Sequence, residues 1–456
     1  MYFFTRSINP LTLSSVLTCA LLLPACVPAL QSESSKEKNS LKIPHRFDAT
    51  KPPVPEVATG LMSLFSDSRL NNYVNRALTG NPDLKASLAR LEEAGFNTRK
   101  TYAATVPSLT ANSSASRSNV SGRYAVSLDS QWELDVWGRI KAGTNAARQS
   151  EQAFAADYAA MRQSVAAQTM QAYFSLVSSE KLLGLSQRRL KSFDDSLSLV
   201  NRRFEAGTGN LGDVDLARTD VENTKAQVEQ RKNARDQAAR QLAALTGSYP
   251  DAKSTASSWP SLRRSVPAGI PSDVLMQRPD IDAAYQRIRA ADSNVTVAHR
   301  DLYPKFSLTA STGQQSNVLK DLANSNFNVW SIVGNLAAPI LDGGSRKAEL
   351  GAANARAKQA IASYQSTVLG AFQEVENALG SERYLKSQQA SYTKALAAAN
   401  SAESRIKRSY EAGLVEILTL LDAQRRSFST EESLINTTAL RFQNRVSLAL
   451  ALGKGL

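Results

Sequence analysis

Two uninterrupted helical stretches, each roughly 65 residues long, constrain the fold of this 456-residue chain more than any other feature. They run from about Ile140 to Phe204 and from about Arg346 to Tyr410, and neither contains a proline. At a rise of about 1.5 Å per residue, each helix would extend roughly 100 Å. No compact domain is that wide, so the helices must form rods whose apolar stripes are buried by neighbouring helices.

The chain contains two similar halves. Two motifs recur in the same order in each half: Asn-Pro-Asp-Leu at 81–84 with Arg-Pro-Asp-Ile at 278–281, and Arg-Phe-Glu-Ala-Gly at 203–207 with Ser-Tyr-Glu-Ala-Gly at 409–413. The interval from Pro82 to Pro107 equals the interval from Pro279 to Pro304. We therefore assign residues 61–265 to a first repeat and residues 266–456 to a second.

Each repeat is predicted to contain a helix, two strands, a long helix, a turn and a returning helix. The first helix covers residues 83–101, in which four apolar residues have helical spacing: Leu84, Leu88, Leu91 and Ala94. The returning helices cover residues 216–245 and 418–452. The composition agrees with this reading, because 42% hydrophobic residues with only 7% aromatics favours helices packed side by side.

Between these helices the sequence changes to alternating periodicity, which predicts strands. Apolar and small polar side chains alternate in three stretches: residues 124–134, 306–311 and 330–336. Such strands suit either a half-buried sheet of a soluble protein or a wall between lipid and water. The aromatic residues Tyr124 and Trp132 near the strand ends favour the membrane.

Two strand pairs per chain cannot form a membrane sheet alone. A sheet in lipid must close, because an unpaired edge amide in hydrocarbon is costly. Single-chain barrels begin at about eight strands. The strands therefore predict a barrel shared by several copies in a cyclic assembly.

The N-terminus has the pattern of a secretory signal peptide, predicted over residues 1–25. Arg6 supplies a positive charge, and residues 11–23 are largely apolar but too short to span a bilayer. Residues 23–26 (Leu-Pro-Ala-Cys) resemble the lipobox of bacterial lipoproteins, which makes Cys26 the lipidated first residue. The alternative is an incidental cysteine in a signal that is cut elsewhere.

A polar, proline-containing stretch follows Cys26 and predicts a tether over residues 26–60. Cys19 and Cys26 are the only cysteines, so the mature chain has no disulfide to form. Val27 stands where lipoproteins retained in the inner membrane usually carry Asp. By this resemblance the protein is expected in the outer membrane, extending into the periplasm.

Charge and motifs argue against nucleic acid, metal and catalysis. The formal net charge of +13 comes from Lys and Arg spread along the chain, without a dense patch of interleaved aromatics. The two histidines, His45 and His299, have no Cys or His partner at metal-ligand spacing. Residues 207–212 match GxGxxG, but a helix precedes them, which predicts a helix-to-helix turn. We expect no nucleic acid, no metal, no cofactor and no enzymatic activity.

Five motifs together resemble the TolC-like outer-membrane factors, within them the lipoprotein branch that serves drug and heavy-metal efflux: residues 132–139, 203–207, 278–281, 339–344 and 420–425. The resemblance implies a mainly α chain whose long antiparallel helical hairpins form a periplasmic tunnel. It implies that each chain adds four β-strands to the outer-membrane barrel of a homotrimer. A periplasmic adaptor protein and an inner-membrane efflux transporter are the implied partners.

The resemblance also implies a channel gate at Leu418 and Asp422, just after the second tip turn. These residues are four apart, hence on one helix face. Three carboxylates around an axis would concentrate negative charge at a constriction. The alternative for Asp422 is a solvated charge near a helix N-terminus, favoured by the macrodipole. Gly212 and Leu216 occupy the corresponding positions of the first repeat.

The predicted function is the outer-membrane channel of a tripartite efflux system that passively conducts drugs, toxic compounds or metal ions. Two alternatives stay open. The same duct could serve one-step protein secretion, or the chain could be a periplasmic coiled-coil scaffold without barrel strands.

Overall fold

The computed structural model describes residues 60–455, apart from residues 120, 257, 261–273, 275, 276 and 324. The helices and strands of the first repeat are α1 (Ser68–Gly80), α2 (Pro82–Ala103), β1 (Ser108–Arg117), β2 (Gly122–Leu134), α3 (Arg139–Glu205) and α4 (Leu211–Leu245). Those of the second repeat are α5 (Pro279–Arg300), β3 (Lys305–Ser316), β4 (Asn328–Ala337), α6 (Ser345–Glu411) and α7 (Ile417–Ala451).

The predicted fold class is confirmed: the chain is mainly helical, with two very long helices and four strands. Each of α3 and α6 contains 67 residues, and a residue rise of about 1.5 Å makes each about 100 Å long. The predicted stripe on α2 is buried at Leu84 and Ala94, whereas Leu88 is exposed. Helix α1 was not predicted; it begins where the Asp67 side chain accepts the N–H groups of residues 69 and 70.

The four strands form one antiparallel sheet in the order β1-β2-β3-β4. The register pairs Thr110 with Asp129, Asp129 with Ser311, and Ser311 with Ser331, so these side chains share one face. Strands β1 and β4 lie at the two edges, and neither pairs with a further strand among the described residues. The sheet of one chain is therefore open.

The long helices lie side by side in the order α4, α3, α7, α6. Nearer the sheet, α2 packs against α3, and α5 packs against both α3 and α6. The predicted turns at the far end are confirmed, because Gly207 and Gly413 adopt φ values of 72° and 79° that favour glycine. Helices α4 and α6 form the two edges of this row.

The two largest apolar cores among the described residues lie within this row of helices. The first lies midway along α3, where the rings of Phe65 and Phe174 are 4.9 Å apart and Trp259 stacks on Phe442 at 5.1 Å. The second lies at the far end, called the tip below, and joins α3, α4, α6 and α7: Phe193, Val200, Val214, Ala217, Val221, Tyr410, Ile417, Leu420 and Leu421. Fully burying a large apolar side chain stabilises a fold by roughly 1.5–3 kcal/mol.

Candidate channel wall and gate

One face of the β-sheet is polar and hydrogen-bonded across strands. The Asp129 carboxylate on β2 accepts hydrogen bonds from the Asn112 amide at 2.6 Å, the Ser127 hydroxyl at 2.8 Å and the Ser311 hydroxyl. These bonds tie β1, β2 and β3 together. A face that carries an anion with satisfied hydrogen bonds suits contact with water.

The opposite face of the sheet is apolar and exposed: Leu109, Val126, Leu128, Trp330, Ile332 and Leu336. Trp330 is 76% exposed. Leaving apolar surface in water costs about 25 cal/mol per Å², and lipid removes this cost. The sheet is therefore built to separate lipid from water.

The structure brings the two predicted gate residues onto one exposed face. Helix α7 begins at Ile417, directly after the second tip turn, so Leu418 and Asp422 lie one helical turn apart. The side chains of both are about half exposed. The Asp422 carboxylate accepts a hydrogen bond from Arg426 Nε at 2.8 Å.

Beside this face, an ion pair joins the returning helices of the two repeats. Arg425 Nη2 on α7 lies 2.8 and 2.7 Å from the two carboxylate oxygens of Asp220 on α4. Asp220 is buried, and its neighbour Arg189 on α3 is half-buried over the Phe193 ring. Burial lowers the pKa of the Arg189 guanidinium, although Asp220 and Glu432 oppose this shift. The carboxylate of Asp220 is thus the anion between two cationic side chains.

A buried amide fixes the rotation of α7 beside the predicted gate residues Leu418 and Asp422. Gln424 Nε2 donates to the hydroxyls of Ser192 and Ser196 on α3, at 2.9 and 3.0 Å. Gln424 and Asp422 are two residues apart, so they point to nearly opposite sides of α7. Holding Gln424 against α3 therefore directs Asp422 away from the helix row.

Arg203 connects the tip of the first repeat to that of the second. Its guanidinium lies 4.2 Å above the Tyr410 ring and donates a hydrogen bond to the Tyr410 carbonyl oxygen. Burial raises the pKa of the Tyr410 phenol, which outweighs the opposing charge of Arg203. The phenol is therefore neutral at ordinary pH, and the cation rests on an uncharged ring.

At the other end of the long helices, Asp301 is surrounded by three cations. Its carboxylate lies 2.9 Å from Lys305 Nζ, 3.8 Å from Arg346 Nε and 4.0 Å from Arg139 Nε. Arg139 also makes a bidentate pair with Glu133 at the end of β2. This cluster connects the sheet to α3, α5 and α6, where strands give way to helices.

Cys26, the predicted lipidation site, lies outside the described residues. Among the residues that the structure describes, no group of His, Cys, Asp and Glu side chains could hold a metal ion. In the same part of the chain, no helix has both the length and the apolar character needed to cross a bilayer.

The sequence predicted a gate at Leu418 and Asp422 but did not predict the ion pair of Asp220 and Arg425 beside them. Asp220 and Arg425 lie on separate helices far apart in the chain, so neither residue indicates the other by its spacing. The position of Asp220 carried a signal, however, because it has helical spacing with Ala217, Val221 and Thr224, which form a buried stripe on α4. A charged residue on a buried stripe requires a partner.

A two-faced sheet continuous with rods of about 100 Å defines an outer-membrane conduit that extends into the periplasm. The chain belongs to the outer membrane efflux protein family, whose model matches residues 73–248 and 270–454.

Named relatives agree with this assignment. The chain is 29% identical over 454 residues to the cation efflux system protein CusC of Escherichia coli O6:H1, covering 95% of this chain and 98% of the relative. It is 33% identical over 409 residues to the outer membrane protein OprJ of Pseudomonas aeruginosa, covering 86% and 85%. It is 28% identical over 407 residues to the probable outer membrane lipoprotein SilC of Salmonella typhimurium, covering 87% and 88%.

Solved structures show the same architecture. The outer-membrane channel OprN superposes with a TM-score of 0.85 at 28% identity, covering 91% of this chain and 97% of that chain. The open state of the MtrE outer membrane channel of Neisseria gonorrhoeae superposes with a TM-score of 0.83 at 29% identity, covering 90% and 95%. The protein is therefore an outer membrane efflux channel protein.

Proposed function

We propose that three copies of this chain form one closed channel, which passively conducts small molecules out of the cell without catalysing a reaction. The two-faced sheet with open edges β1 and β4 is the observation that carries this proposal. One chain leaves both edges unpaired, which lipid does not tolerate. Joining copies edge to edge pairs the edges and encloses the polar face as the lumen.

The long helices continue the same assembly into the periplasm. The row α4-α3-α7-α6 is open at both sides, as the sheet is. Adding copies around the same axis places α6 of one chain beside α4 of the next. The result is a helical tunnel in line with the barrel.

We place the gate of this tunnel at Leu418 and Asp422. Both residues are exposed in a single chain and lie beside a turn at the tip. Gln424 and Arg425 hold α7 in the orientation that presents them. In a trimer, three Leu418 side chains would repel water and three Asp422 carboxylates would attract cations.

We further propose a signal peptide at 1–25 and a lipid anchor on Cys26, followed by a tether. The tether must cover the distance from the membrane to Phe65, which packs on Phe174 of α3. From Arg139 to Phe174 the helix rises about 50 Å. An extended chain from Cys26 to Gly60 reaches up to about 110 Å, which is ample. The lipoprotein relative SilC supports this anchor.

The proposed partners are a periplasmic adaptor at the tip and an inner-membrane efflux transporter that supplies energy. The proposed cargo is drugs, toxic compounds or metal ions, and the name of CusC as a cation efflux protein supports the last class. One-step protein secretion would use the same duct. Deleting the gene distinguishes the two: efflux predicts increased sensitivity to drugs or metal ions, whereas secretion predicts loss of an exported protein.

The decisive test is the size and conductance of the detergent-extracted, full-length protein. We expect a trimer whose small conductance in planar bilayers rises when Asp422 is replaced by Ala. Glu229→Ala, which removes an exposed carboxylate on α4 well away from the tip, should leave conductance unchanged. A monomer or dimer that is extracted without detergent and forms no pore would overturn the channel and favour the scaffold.

A further inference from the structure

The two repeats of one chain contact each other beside the sheet, and this contact suggests a corresponding one between neighbouring chains. The segment from β2 to α3, residues 135–138, packs on the segment from α5 to β3, residues 301–304. The Trp137 indole donates to the Pro304 carbonyl oxygen at 2.7 Å and stacks on the Tyr303 ring at 5.2 Å. Arg300 Nη1 donates to the Gly138 carbonyl oxygen at 2.7 Å. We call this contact the inner joint.

The repeat gives each half of the inner joint a counterpart. Gly138 and Gly344 both precede a long helix with positive φ, so residues 338–344 between β4 and α6 correspond to the first half. Pro304 corresponds to Pro107, so residues 104–107 between α2 and β1 correspond to the second half.

These counterparts are exposed and do not pack on one another within the chain. Ile340 and Leu341 are 95% and 94% exposed, and Val106 is 50% exposed. Leu109, which follows this segment at the start of β1, is 70% exposed. Four large aliphatic side chains are thus left uncovered beside the membrane sheet. Both halves of a second joint are present, on opposite edges of the same molecule.

Pairing of the open edges β4 and β1 of two copies would bring residues 338–344 of one copy next to residues 104–107 of the other. In the inner joint, Leu134 near the end of β2 pairs with Phe306 near the start of β3. Antiparallel pairing of β4 with β1 of a second copy likewise places residues after Ala337 beside residues before Ser108. The adjacent helices follow the same pattern. Helix α3 packs on α5 within the chain. On their repeat counterparts, α6 and α2, the side chains of Leu369 and Phe96 are exposed.

We infer that Ile340 and Leu341 of one copy pack on Val106 and Leu109 of the next copy. They form an outer joint at the place that corresponds to the inner joint, with aliphatic contacts in place of those made by Trp137 and Arg300. The partner is a second copy of this chain, and the inference rests on the proposed multimeric channel. It adds a defined apolar contact at the base of the sheet. Alternating inner and outer joints would make the junction between sheet and tunnel continuous.

Chemical cross-linking between introduced cysteines tests the outer joint. Leu341→Cys is combined with Val106→Cys in the full-length, detergent-extracted protein, which is treated with a short bismaleimide. We expect most of the protein to shift into cross-linked dimers and trimers on a denaturing gel. The unaltered chain is treated in parallel, to account for Cys19 and Cys26.

Two controls make this result specific. Tyr249→Cys with Val106→Cys offers an equally accessible thiol, because Tyr249 is exposed but distant from the sheet. Val136→Cys with Val106→Cys tests the first-repeat segment, which already packs in the inner joint. Neither pair should give more than a trace of cross-linked trimer.

The outcomes separate this inference from the proposed function. A native trimer that is not cross-linked by the Leu341/Val106 pair, or that is cross-linked equally by the Tyr249/Val106 pair, overturns the outer joint and leaves the channel standing. A protein that is monomeric before treatment overturns both. As a second measurement, Ile340→Ser with Leu341→Ser should convert trimers to monomers with unchanged helix content, and trimers that persist contradict the inference.

Discussion

The guanidinium of Arg278 donates a hydrogen bond to the carbonyl oxygen of Ala451, the last residue of α7, over 3.0 Å. The first repeat makes the same connection with another side chain, because Asn81 Nδ2 donates to the carbonyl oxygen of Leu245, the last residue of α4, at 2.9 Å. Each residue directly precedes the proline that begins α5 or α2. In both repeats, the start of the first helix is therefore fastened to the end of the returning helix.

Replacing Arg278 by Ala should destabilise the second repeat strongly. The guanidinium is largely buried and pairs with Asp280 and Glu374 at 2.7 Å each. Burial acts to lower the Arg278 pKa, but these carboxylates outweigh it and raise that pKa. Removing the cation leaves the carboxylates of Asp280 and Glu374 without this partner. Breaking a buried ion pair typically lowers the free energy of unfolding by about 3–5 kcal/mol, and by less where the partners are exposed.

Thermal unfolding followed by circular dichroism measures this loss for Arg278→Ala. Arg287→Ala is the matched control, because Arg287 lies on the same helix, pairs with Asp157 and is half exposed. The control should change the midpoint little, since exposed ion pairs contribute about 0–1 kcal/mol. Equal shifts for both variants would contradict the fastening role of Arg278.

Gly247→Ala should destabilise the end of α4. Gly247 has a φ of 69°, and an added Cβ would lie 2.3 Å from the Gly80 carbonyl oxygen. Neither backbone can move aside without breaking the contact between α4 and α1. Positive φ at a non-glycine residue and overpacking each cost roughly 1–3 kcal/mol.

Gly184→Ala serves as the control for this glycine prediction. Gly184 lies within α3, and a Cβ there would meet nothing within 4 Å. The substitution should be neutral or stabilise the helix by up to about 1 kcal/mol. Chemical denaturation of both variants provides the comparison, and a Gly247→Ala protein as stable as the Gly184→Ala protein would refute the close contact.

The long helices could be predicted because their signal extends over some sixty residues without a proline. Helix α1 could not, since it has 13 residues and its start depends on the single side chain of Asp67. The contacts of Trp137 could not be predicted from the sequence either. Its partners Tyr303 and Pro304 belong to the other repeat, and no local pattern in the sequence indicates a contact between repeats.

Asp301→Asn should loosen the junction between sheet and helices. The carboxylate faces Lys305, Arg346 and Arg139, and the substitution leaves three cations without their common anion. Since Asp301 is one-third exposed, solvent screens part of the effect, and we expect a loss of roughly 1–2 kcal/mol. Asp157→Asn is the control in thermal unfolding, because Asp157 is similarly exposed but pairs with Arg287 alone in the ion pairs described.

Asp220→Asn should both destabilise the tip and open the proposed gate at Leu418 and Asp422. The carboxylate is almost buried and holds Arg425 in a bidentate pair that joins α4 to α7. Losing it frees α7, which carries Leu418 and Asp422, so the closed-state conductance in planar bilayers should rise. The loss of stability should be about 1–3 kcal/mol, as for a charged hydrogen bond. Asp215→Asn, on the same helix but well exposed, should alter neither property. If Asp220→Asn lowers stability while its conductance matches that of Asp215→Asn, the ion pair supports the fold but does not hold the gate.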